Sequence, residues 1–90
     1  SLVLSTDCGI TSFEAADAAK ELGMDFIITD HHNPATSLPD AYCIVNPKLD
    51  RSLTHLHILA GVGVAFKICH GFVLRCLQDN IKHCHTLLKR

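Results

Sequence analysis

Two short, continuous apolar runs, Leu2–Thr6 and Phe26–Thr29, each break off at an aspartate, and a helix-forming stretch separates them. This arrangement limits the fold more than any other feature of the chain. A strand with one wet face alternates polar and apolar residues, whereas unbroken apolar strands belong to parallel sheets covered on both faces. Between the runs, Thr11-Ser12-Phe13-Glu14 reads as a capping box, a hydroxyl followed three residues on by a glutamate. Ala15, Ala16, Ala18, Ala19 and Leu22 then supply helix formers with a narrow apolar face, and Gly23 occupies the place of a left-handed C-terminal cap. Asn33-Pro34 and Ser37-Leu38-Pro39-Asp40 mark a loop, and Tyr42–Val45 a third short strand closed by Asn46-Pro47.

Lys48 to about His57 is polar and irregular. From about Leu59 to Gln78 the apolar residues Val62, Ala65, Phe66, Cys69, Val73, Cys76 and Leu77 recur with a period near 3.6, which predicts a largely buried helix. Asp79-Asn80 breaks it, and Ile81–Arg90 reads as a more polar helix with a basic C-terminal end. The expectation is an α/β fold: a parallel sheet with flanking helices, in the order βαβ-β-α.

Composition narrows the class. With 48% hydrophobic and 19% charged residues, the 90-residue chain is neither disordered nor of low complexity. A net charge of −1 excludes a nucleic-acid module driven by its own basic surface. No apolar run reaches the roughly 18–20 residues of a membrane span. There is no secretory signal and no initiating Met, so the chain reads as an excerpt from a longer protein. Five cysteines without a Cys-x-x-Cys pair read as reduced, mostly buried thiols of a cytosolic protein. Core packing is the expected role of Cys69, Cys76, Tyr42 and Phe66, and of Phe13 against the sheet.

Ligands of open parallel sheets bind beyond the carboxyl ends of the strands. Here those ends carry Asp7, Asp30-His31-His32 and Asn46. Carboxylate and imidazole together suit manganese, iron or zinc. A carboxylate can bridge two ions, and two ions can clamp the attacking and leaving oxygens of a phosphoester displacement. Adjacent loop histidines point different ways, so one can be a ligand while the other faces substrate. On the residues alone, Asp7, Asp30 and His31 can equally be turn or cap residues bonded to their own backbone.

The segments Asp7-Cys8-Gly9-Ile10 and Ile27-Ile28-Thr29-Asp30-His31-His32 resemble the DHH phosphoesterase superfamily. Leu38-Pro39-Asp40-Ala41, Ile44-Val45-Asn46-Pro47-Lys48 and the run from Leu59 to Lys67 resemble its RecJ branch of single-stranded-DNA-specific exonucleases. The resemblance implies a fragment of one DHH catalytic domain, over 1–90, from an enzyme that hydrolyses single-stranded DNA from the 5′ end with two manganese or magnesium ions. It implies metal ligation by Asp7 and His31. It implies a catalytic, supporting role for Asp30, and for His32 a catalytic place facing the scissile phosphate. Asn46 either positions substrate or only closes the strand before Pro47. Single-stranded DNA, single-strand-binding protein and a helicase are the implied partners, in the cytoplasm, in DNA repair and recombination.

The family's upstream Asp-x-Asp motif, a later metal-binding Asp and the second domain have no counterpart here; Asp50 and Asp79 lack the right surroundings. The 90 residues alone are therefore expected to be inactive. Two other readings remain: a family phosphatase, oligoribonuclease or pyrophosphatase acting on short nucleotides, and a non-catalytic DHH-like binding module. Lys48, Arg51 and Lys67 are local candidates for phosphate contact or plain surface charges. Gly61 and Gly63 either bring backbone N–H groups to a phosphate or allow close packing of the helix start. His55-x-His57 and His83-Cys84-His85 lack third and fourth ligands for zinc.

Overall fold

The computed structural model describes residues 1–79. Three parallel strands, β1 (Leu2–Thr6), β2 (Asp25–Thr29) and β3 (Cys43–Val45), lie in the order β1-β2-β3. Thr6 pairs with Thr29 and Thr29 with Val45, so the three carboxyl ends finish level with one another. Helix α1 (Phe13–Glu21) connects β1 to β2, and α2 (Gly61–Gln78) follows β3. The α/β expectation holds. The expected helix over 81–90 and the His83-Cys84-His85 segment lie outside the described residues.

The core is small. Ala16 and Ala19 of α1 pack on Phe26 and Ile28 of β2, with Met24, Ala41 and Ile44 at the margin. Alanines on the inner face let the helix approach the sheet closely, and Ile28, fully buried, fills the space between. Gly23 takes a left-handed φ of 67° just past the end of α1, as expected of a helix terminator. Lys20 of α1 pairs with Asp40, tying the helix to the loop before β3.

Several sequence expectations need correction. The capping box does not form: α1 starts at Phe13, its N-cap is Ser12, and no side chain caps it. The turn closed by Ser12 N–H and Gly9 C=O takes up Thr11 and moves the helix start one residue on. Lys48–His57 is not irregular but carries two 3₁₀ helices, Pro47–Leu49 and Arg51–Leu56, capped by the side chains of Asn46 and Asp50. Helix α2 is mostly exposed, with only Gly61, Val64 and Cys76 buried. Phe66, Tyr42 and Phe13 are exposed rather than core residues. Cys8, Cys43 and Cys69 are also exposed, and only Cys76 is buried among the described cysteines. α2 is apolar almost all round, so its periodicity does not say which face is covered. β1, an edge strand here, leaves Leu2 and Leu4 more than half exposed.

Among the described residues no helix is long and apolar enough to cross a membrane. An apolar cavity of about 410 Å³ separates β3 and the 3₁₀ segment from α2, with Val45, Leu53, Leu59 and Ile68 on its walls. Truncating Ile28 to Ala is expected to cost about 2–4 kcal/mol. In urea unfolding of the full-length protein this appears as a lower midpoint at unchanged slope; an unchanged midpoint would show that the α1–β2 contact is not the core.

Candidate metal centre

β1 and β2 are each followed by residues that enter the site. The β1–β2 ladder continues one step beyond β1 through Asp7 N–H to Thr29 C=O (3.0 Å). Asp7 then turns with φ 64°. Aspartate tolerates this left-handed conformation better than most residues. Gly9, at φ 113°, completes the turn, and a Cβ there would lie 2.9 Å from Ser5 Oγ and 3.0 Å from Ile28 Cγ2. Ser5 Oγ–H donates to Cys8 C=O (2.8 Å) and Thr29 Oγ1–H to Ser5 C=O (2.6 Å), stitching the loop to both strands. The peptide after β2 is anchored in the same way, by Asp30 N–H to Val45 C=O (3.0 Å).

Asp30 is almost wholly buried, at 1% exposure. A carboxylate so placed must be fully hydrogen-bonded. Oδ2 accepts from Ile10 N–H (3.0 Å). Oδ1 accepts from His31 N–H (2.8 Å), His32 N–H (3.3 Å) and the His32 ring at Nδ1 (2.6 Å). Burial alone would push this carboxyl up; the hydrogen bonds from Ile10, His32 and His31 outweigh it and hold the group below its ordinary value. An ionised Asp30 makes His32 Nδ1 the donor, which turns Nε2 outward on a ring that is more than half exposed.

The His31 ring does not point away from its neighbour as expected but lies beside it, 4.3 Å between centroids, with its Nε2 2.8 Å from Asp7 Oδ1. One ligand atom each from Asp7, Asp30, His31 and His32 can be chosen so that all lie within 4.8 Å of one another. The four residues whose roles were inferred from the family motif are therefore together at one edge of the sheet. An open depression of about 380 Å³ adjoins them, lined by the Asp7–Ser12 turn, Asp30, His32 and Asn33.

Asn46 is buried behind this edge. Its Nδ2 donates to His32 C=O (2.9 Å), and its Oδ1 accepts from Lys48 N–H (3.0 Å). It braces the histidine loop and caps a 3₁₀ helix, so both of its polar ends are engaged. Asp50 caps the second 3₁₀ helix through Ser52, and Asp79 pairs with Arg75; neither joins the cluster. His55 and His57 contribute to no metal-binding group among the described residues. Lys48, Arg51 and Lys67 form no ion pair among the described residues.

Two contributors to the site were not assigned to it from the sequence. Ile10 enters through its backbone, which no side-chain pattern reveals. Gly61, the buried first residue of α2, lies so close to Asp7 that a Cβ would overlap Asp7 Oδ1, Cβ and Cγ. A glycine at a predicted helix start was the available signal, but what it packs against was not legible.

The donor set fits a divalent cation. Asp7 and His31 offer an oxygen and a nitrogen at the spacing of two ligands of one ion. Asp30, its oxygens occupied by N–H donors, suits the supporting shell that orients ligands.

The carboxyl edge of the parallel sheet thus presents an Asp-His-His triplet opposite the aspartate that follows β1. The model of the DHH family, N-terminal domain, matches residues 1–88, and the chain belongs to that family. It is 49% identical over 73 residues to the single-stranded-DNA-specific exonuclease RecJ of Bacillus subtilis, covering 81% of this chain and 9% of that protein. With RecJ of Dickeya dadantii it shares 35% identity over 89 residues, covering 99% of this chain and 15% of the relative. Among solved structures it resembles RecJ from Thermus thermophilus in complex with Mn2+, with a TM-score of 0.64 and 38% identity over 72% of this chain and 10% of that one. The chain thus spans 9–15% of the length of these two curated relatives.

Replacing Asp30 by Ala leaves the buried Ile10 N–H and the part-buried donors of His31 and His32 without their acceptor. The expected cost is about 3–5 kcal/mol, as for the loss of one partner from a buried charged network. The check is urea unfolding of the full-length protein, where a loss below about 1 kcal/mol would show that Asp30 does not organise the loops.

Proposed function

We propose that this chain is part of the catalytic core of a RecJ-like exonuclease that hydrolyses phosphodiester bonds of single-stranded DNA from the 5′ end. The observation that carries the reading is the convergence of Asp7, Asp30, His31 and His32 at the carboxyl edge of the sheet. The RecJ relatives, and the manganese in the T. thermophilus structure, support it. Asp7 and His31 would hold the metal, manganese or magnesium. Such an ion supplies Lewis-acid polarisation of the phosphate and a lowered pKa for water.

The remaining work falls to the protein's own groups. Asp30 fixes the His32 tautomer and keeps the Nε2 side of the ring turned to the adjoining depression. There His32 would meet the phosphate oxygens and stabilise their growing charge in the transition state. Asn46 would serve the substrate side indirectly, by bracing the His32 carbonyl. Two ions need more ligands than Asp7 and His31 provide. We therefore place the others, together with the basic surface for the strand, elsewhere in the full-length protein. A role in repair and recombination in the cytoplasm, with a helicase and single-strand-binding protein as partners, belongs to the same proposal.

The test uses the full-length protein with manganese and single-stranded DNA labelled at the 5′ or the 3′ end, with duplex as control. Mononucleotides are expected from the 5′ label of single strands, and a chelator is expected to stop their release. Asp7→Ala and His31→Ala should each lower kcat by about 10²-fold or more with an unchanged circular dichroism spectrum. Near-normal turnover in either variant would contradict the site assignment. Preference for dinucleotides or pyrophosphate would redirect the substrate reading.

A further inference from the structure

The geometry points to Gly61 as a positioning residue for Asp7, a role that rests on the metal-site reading above. Three observations converge on it. The Asp7 backbone is anchored by its N–H to Thr29 C=O and turned by a left-handed φ, but its side chain accepts no hydrogen bond from a backbone N–H among the described residues. The Asp7 side chain is 61% exposed, so packing does not enclose it. The start of α2 lies directly against it, where a Cβ on Gly61 would overlap Oδ1, Cβ and Cγ. The backbone of α2 is thus the wall on which the Asp7 carboxylate rests when it faces His31 Nε2.

The need for glycine here is steric. Gly61 lies in a helix, and its φ is not in the left-handed region that would by itself demand glycine. Any side chain would have to displace either the carboxylate or the helix start. The α2 N-terminus also brings the positive end of an 18-residue helix to this carboxylate. Gly71, in the same helix, has open space where a Cβ would go, so an alanine there controls for the change in helix propensity.

The experiment measures the affinity of the full-length protein for Mn2+ alone, by electron paramagnetic resonance of the free ion, alongside kcat and KM on single-stranded DNA. Gly61→Ala is expected to weaken Mn2+ binding about 10- to 100-fold, the scale of lost ligand support. It should lower kcat with little change in KM. Gly71→Ala should leave Mn2+ affinity within about twofold of the parent protein, inside the error of additivity. Because Gly61 acts through Asp7, Gly61→Ala should add little further loss in an Asp7→Ala background. Should Gly61→Ala fail to fold, Asp7→Glu probes the same wall from the other side. The lengthened side chain is expected to lose Mn2+ affinity comparably, whereas wild-type affinity would overturn the role of the wall. Wild-type Mn2+ affinity in Gly61→Ala, with affinity lost in Asp7→Ala, would overturn this inference alone. Undiminished affinity in Asp7→Ala would overturn the metal-site reading and the inference with it.

Discussion

A single buried carboxylate organises this edge of the molecule. Asp30 has lost its contact with water, and hydrogen bonds within the protein replace it. The donors come from Ile10 at the entry to α1 and from the backbone and ring of the loop that follows β2. Its own N–H is bound to β3 through Val45 C=O. Three segments distant in sequence are therefore joined at one residue, two through its carboxylate and one through its backbone N–H. An ion this deeply buried is costly unless every partner is in place, so the arrangement tolerates little variation in loop geometry. Asn46 extends it by clamping His32 C=O from behind.

This arrangement gives two aspartates different tasks. Asp30 is sealed and saturated, and its negative charge serves to orient protein groups. Asp7 is exposed and left-handed in backbone, and among the described residues its side chain's close polar partner is His31 Nε2. Neighbouring histidines are likewise divided: one ring is turned to Asp7, the other is pinned at Nδ1 by Asp30 with its far side toward solvent. The two rings lie side by side, 4.3 Å between centroids, and differ in their carboxylate partners rather than in direction. The separation into ligating and supporting groups follows from burial as much as from residue type.

The parallel sheet and the polar residues at its strand ends were legible in the sequence, for physical reasons, whereas the strand order that makes them converge was not. Strands such as Phe26–Thr29 are apolar without alternation, and their polar residues gather where the chain leaves the sheet. What could not be read was which apolar surfaces are covered. Phe66 and Cys69 follow a helical period, but Ile68, Phe72 and Leu74 are apolar too, so α2 carries no pattern that names its buried face. Tyr42 precedes a strand yet points into solvent. The start of α1 was misplaced by one residue because the Gly9–Ser12 turn, a backbone event, competes with the Thr11 capping signal. Asn46 was placed at the edge, but that both its polar ends are engaged within the protein depends on a fold-level contact with His32. Contacts between distant backbones, such as Gly61 with Asp7, leave no local trace.

The division of labour between the two histidines can be observed directly. Pulsed electron paramagnetic resonance of the manganese-loaded full-length protein, with 15N-labelled histidine, reads whether an imidazole nitrogen is bound to the ion. The account predicts one directly coordinated nitrogen, lost in His31→Ala and retained in His32→Ala. A coupling that survives in His31→Ala, or that disappears in His32→Ala, would contradict it.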